Sequence, residues 1–133
     1  MRRLAIAILG GALAACVPLK KDMPSPGDMD PLRREIVNDV TGLLVVEFDP
    51  TVIALQPVSS QGALRSALHA SLRDRGYRMG STYPDAQAFD CEVIPLWDNQ
   101  YLVRVVVGRH RLSRLWIANG THAYGGGAWT RGQ

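Results

Sequence analysis

Two runs separated by an Asp-Asn pair constrain this chain more than any other feature. FDCEVIPLW (89–97) alternates and then turns apolar, Asp98 and Asn99 supply a turn, and QYLVRVVVG (100–108) follows with a dense set of β-branched residues. β-Branched and aromatic side chains fit a pleated, half-buried surface, and a short polar turn between two such runs predicts an antiparallel hairpin. A hairpin with one apolar face is marginal alone and needs further strands or helices against it.

The flanking sequence supplies both. After a predicted turn at 108–110, RLSRLWIA (111–118) reads as another strand, with Leu112 and, after a register change, Leu115 and Ile117 facing the core. Upstream, Asp30 followed by Pro31 is a helix N-cap with proline at the first helical position. Leu32, Ile36, Val40, Leu43 and Leu44 then recur at helical spacing, so a helix is predicted over 31–45, weakened at Gly42. A second helix, capped by Ser59 or Ser60, carries Leu64, Ala67, Leu68, Ser71 and Leu72 on one stripe and stops at Gly76. Between the helices TVIALQPV (51–58) reads as a short strand with its β-branched residues at the front; YRMG (77–80) reads as another, followed by a loop over 81–86. The prediction is an α+β fold, two helices packed on one face of a small antiparallel sheet.

The front of the chain sets its compartment. Arg2 and Arg3 precede an apolar run over residues 4–15, the pattern of a secretory leader. Crossing a bilayer takes roughly 20 apolar residues, so this run is too short to span. It closes on Leu13-Ala14-Ala15-Cys16, which resembles the lipobox of bacterial lipoproteins, where small residues precede a cysteine whose thiolate is alkylated by a diacylglyceryl donor. The expected organisation is a lipoprotein signal peptide at 1–15, a lipidated Cys16 with a Pro-, Lys- and Asp-containing tether through residue 30, and one periplasmic domain over 31–133. Val17 after the cysteine, in place of aspartate, implies sorting to the outer membrane, with acyl chains in the bilayer. Losing Arg2 and Arg3 lowers the net charge from +3 to +1, so nothing asks for direct nucleic-acid binding.

Little in the domain points to catalysis. His69, His110 and His122 fall on a helix, a turn and a tail without a partner carboxylate pair, so no metal site is expected, and the only cofactor-like group is the lipid on Cys16. There is no G-x-S-x-G serine motif, and Gly125-Gly126-Gly127 lacks the Lys-Ser/Thr of a phosphate loop and reads as a flexible turn. No catalytic residue is expected. Cys91, left alone once Cys16 is lipidated, is either a small buried hydrophobe or half of an intermolecular disulfide. Arg109, Arg111 and Arg114 make a basic cluster with His110 that either lies on anionic lipid headgroups or an acidic partner surface, or guards a sheet edge. Trp116 and Trp129 are candidate partner contacts, since tryptophan is enriched at interfaces; Trp129 in its Gly-flanked tail docks either on a partner or on its own domain.

ALRSALHASLRDRGYRM (63–79), with Arg75-Gly76-Tyr77 at the helix end, and YLVRVVVGRHRLSRLWIANGTHAYGGGAW (101–129), with Ala118-Asn119-Gly120-Thr121, a Gly-rich stretch and Trp129, follow the lipobox in an order that resembles the TrbH family. The resemblance implies a non-catalytic lipoprotein of a conjugative type IV secretion system, anchored in the outer membrane and contacting other envelope subunits in the mating-pair channel. The alternative from another class is a periplasmic lipoprotein holding a small apolar ligand between helices and sheet, which requires a sizeable apolar pocket.

Overall fold

A computed structural model of the chain describes residues 31–119 and 122–132. The expected signal peptide, Cys16, the expected tether with Asp30, and Gly120, Thr121 and Gln133 lie outside the described residues. Two helices and six strands follow in the order α1 (Pro31–Glu47), β1 (Ala54–Pro57), α2 (Ala63–Asp74), β2 (Ala86–Pro95), β3 (Gln100–Val107), β4 (His110–Asn119), β5 (His122–Gly125) and β6 (Thr130–Gly132).

The α1 helix buries Ile36, Val37, Val40, Thr41 and Leu44, one stripe at spacings of three and four. It runs two residues past the predicted end and stops before Pro50, which disfavours helical backbone at the residue ahead of it. The Asp49 carboxylate accepts the Thr51 N–H at 2.9 Å and the Thr51 hydroxyl at 2.8 Å, while its carbonyl accepts Val52 and Ile53 N–H groups. This turn takes up the β-branched residues expected to open a strand, so β1 begins only at Ala54.

No side chain caps α2. Gly62, with φ of 95°, precedes it, and the Ser59 hydroxyl accepts only the Gln61 N–H, in place of the predicted serine cap. Its other end follows the sequence closely. Gly76 at φ 95° lets the Tyr77 N–H reach the Leu72 carbonyl and its own N–H reach that of Arg73, the bonding of a Schellman motif, with Tyr77 and Leu72 both in the core. Across the helices Thr41 and Ser71 share a 2.8 Å hydrogen bond between hydroxyls, which satisfies the buried threonine.

The strands form one sheet in the order β1-β2-β3-β4-β5, with β6 also on β4. The β2/β3 hairpin pairs from Phe89↔Val107 to Pro95↔Tyr101 as the sequence implied, and Asp98 takes the left-handed conformation in its turn. The β3/β4 loop is Gly108-Arg109 with glycine at positive φ, the arrangement a two-residue hairpin favours. The sheet is mixed where an antiparallel one was expected. β1 and β2 are consecutive strands joined through α2, and that crossover returns β2 parallel to β1. The predicted YRMG strand is reduced to one bridge, Met79 to Leu55, which together with Arg78 and Gly80 covers the outer edge of β1.

The predicted register change in β4 does not occur. Its pairing with β3 is unbroken from Gln100↔Ile117 to Val107↔His110, so Leu112, Arg114 and Trp116 share the helix-side face, and Leu115 and Ile117 take the other. The irregularity lies in the next strand. Between the pairs Trp116↔Gly125 and Ser113↔Thr130, β4 has two residues and the tail has four, so β5 and β6 read as one edge strand interrupted by a bulge at 126–129. The core between helices and sheet is filled by Phe89, Leu44, Leu55, Leu68, Leu72 and Val103, all fully buried.

Candidate functional site

Arg114, Asp39, Trp116 and Trp129 come together where α1 crosses β4 and the bulged tail. One terminal nitrogen of Arg114 lies 2.8 Å from each Asp39 carboxylate oxygen, and its Nε donates to the Gly127 carbonyl at 2.6 Å. The Arg114 guanidinium also sits over the Trp116 ring, 5.8 Å from its centroid, and the Trp129 indole N–H points at Asp39 from 3.5 Å. Strand parity explains why an arginine is here. Arg114 sits two residues from both Leu112 and Trp116, so it projects onto the face that α1 covers and must find a carboxylate and carbonyls there. A β-carbon on Gly125 would lie 2.3 Å from the guanidinium carbon. Gly125 is therefore a close approach to a fixed cation, where the whole glycine run was expected to be a flexible turn.

Of the expected partner contacts, Trp116 is only 4 % exposed, so its indole is part of the core and not a surface for another protein. Arg114 is likewise committed inside the fold. Trp129 is half-buried and packs on the chain's own core. Trp97, in the β2/β3 turn, is the indole that stands out, 66 % exposed. Arg109 and Arg111 remain at the β3/β4 hairpin tip, beside a groove of about 870 Å³ with Glu92, Arg104 and His110. Arg104 pairs with Glu92 at 3.1 Å, whereas Arg109 and Arg111 have no ion-pair partner among the described residues.

Cys91 is 2 % exposed, and burial first, with the Asp90 charge second, pushes its thiol up to about 12. It is a packed hydrophobe, not a thiol placed for a bridge to another chain, and no described cysteine partners it. The three histidines stay apart. His69 is buried on α2 against Phe89, His110 leans on Phe48, and His122 opens β5. Burial lowers the His69 pKa, aided by Arg73 and opposed by Asp90. Burial alone would raise the Asp90 pKa, but the Arg65 guanidinium, bonded to both of its oxygens at 2.8 and 3.1 Å, brings it below the usual value.

A second groove, about 400 Å³, runs between α1 and β5. Glu35, Asn38 and Asp39 line one side, Ala123–Gly125 the other, and Arg114 and Trp116 also border it. The Trp116 indole N–H is the buried side-chain polar group without a hydrogen-bond partner among the described residues. Neither Asp39 nor this groove was legible in the sequence. The parity of 112, 114 and 116 was the available signal, and the assumed register change concealed it. No described helix is long and apolar enough to cross a membrane.

Comparison with curated proteins returns no match, and comparison with solved structures returns none. A family model described as conjugal transfer protein TrbH matches residues 24–133, which takes in both helices and all six described strands. The chain belongs to the TrbH family of conjugal transfer proteins.

Proposed function

We propose that this protein is a structural lipoprotein of a conjugative type IV secretion system, held at the outer membrane by acyl chains on Cys16 and acting in assembly of the mating-pair channel. The family match over 24–133 carries the reading. Leu13-Ala14-Ala15-Cys16 after a short apolar run supplies the anchor, since a lipid carrying several chains holds durably where a single one does not. The domain then works by occupying a place among other envelope subunits, without catalysis or a cofactor of its own. The layer between helices and sheet supports this over a small-ligand carrier: among the described residues it is packed with fully buried aliphatic side chains and Phe89, and the grooves beside Arg109 and beside Asp39 both include charged side chains.

The test replaces Cys16 with Ser in donor cells. The variant is expected to leave the outer-membrane fraction and to lose plasmid transfer together. Full transfer by a chain released from the membrane contradicts the proposal.

A further inference from the structure

We propose that an extended segment of another envelope protein, carrying a basic side chain, adds as a strand to the free edge of β5 in the groove between β5 and α1. This deepens the structural role proposed above and rests on it.

The backbone of β5 is set up for such an addition. It ends the strand path, and the Gly126 N–H donates to the Leu115 carbonyl at 2.7 Å in the same register as Trp116↔Gly125. Because antiparallel ladders alternate, Leu115 opposite Gly126 fixes Ile117↔Tyr124 and Asn119↔His122 as the hydrogen-bonded pairs. The N–H and C=O groups of Ala123 and Gly125 therefore point away from β4, toward the groove those two residues line. With no backbone partner for Ala123 and Gly125 among the described residues, an edge of this kind accepts another strand through main-chain bonds, and the groove walls then select side chains. The opposite edge of the sheet offers no equivalent, since Arg78 and Gly80 already bond to Leu55 of β1.

The walls state what kind of strand fits. Asp39 is neutralised by Arg114, but Glu35, exposed on the same wall, has no ion-pair partner among the described residues. A lysine or arginine on the incoming segment answers that charge. A second copy of this chain fits less well, because pairing β5 to β5 brings two Glu35 side chains around one seam.

The experiment uses the full-length protein in donor cells that hold the complete transfer apparatus. A photoreactive benzoylphenylalanine is placed at position 124, whose side chain is 51 % exposed and whose backbone is committed to β4, with position 52 in the α1–β1 turn as the control. The expected result is one adduct to a different envelope protein from position 124 only, mapped by mass spectrometry to an extended segment containing Lys or Arg. Ala123→Pro removes a single edge N–H and is expected to cut the adduct about tenfold, the most one net hydrogen bond contributes. Glu35→Lys, on the helix and away from the strand, is expected to cut it as well and stays readable where the proline variant misfolds. An adduct of twice the chain's own mass, one mapped to residues 17–30 of the same chain, one mapped to a helical or acidic segment, no adduct, or an adduct unchanged in Glu35→Lys overturns the proposal. Loss of transfer in Cys16→Ser with no adduct at position 124 overturns edge pairing while leaving the anchored role in place.

Discussion

Gly125 has no room for a side chain while Arg114 keeps its bonds to Asp39 and Gly127. Gly125→Ala must displace the guanidinium, which we expect to destabilise the fold by about 1–3 kcal/mol. The same change made in an Arg114→Ala background is expected to cost almost nothing, because the obstacle is gone. A double-mutant cycle by urea unfolding measures this, and equal costs in the two backgrounds would contradict the account. His69 carries a second prediction. Its pKa is lower folded than unfolded, so the unfolded chain binds the extra proton and stability falls as pH drops below the ordinary histidine value of 6.5. Asp90, also lowered, adds its loss only as pH falls below its ordinary 3.8. His69→Leu is therefore expected to flatten the stability profile between those two values, and an unchanged slope by chemical denaturation at several pH values would show that another group is responsible.

At the level of elements, the chain announced itself unevenly. The β2/β3 hairpin, both helices and the Gly76 stop were legible because each rests on local pattern: alternation, helical spacing, a glycine where the backbone turns left-handed. The start of β1 was not, because the Asp49 carboxylate claims Thr51 before the sheet can. Nor was the parallel direction of β1 or the bulged β5–β6 edge, since both are set by where the chain goes next and not by local propensity. Two glycine substitutions separate these influences. Gly76→Ala places a β-carbon at φ 95° and is expected to cost about 1 kcal/mol, lowering the melting midpoint by roughly 4–8 °C. Gly42→Ala, in α1 with open space around it, is expected to raise stability by about 1 kcal/mol. Calorimetry giving the same sign for both would mean that backbone conformation does not govern either site.

For the whole molecule, the surface read from sequence proved to be partly interior. Arg109 and Arg111 stand at the hairpin tip as the basic cluster implied, but Arg114 faces the opposite way and joins the closure of the C-terminal tail over the middle of α1, with Arg131 of β6 paired to Glu47 at the helix's C-terminal end. Parity along β4 separates the two groups, and it was hidden by the assumption that Leu115 faced inward. Trp116 follows the same rule. The attachment proposed at Cys16 lies outside the described residues, and the proposed role depends on it. Intact-mass analysis of the protein purified from membranes of cells that express the whole gene is the most direct test. The account predicts a mature chain that begins at Cys16 and carries acyl groups. A soluble chain with an unmodified terminus would contradict it.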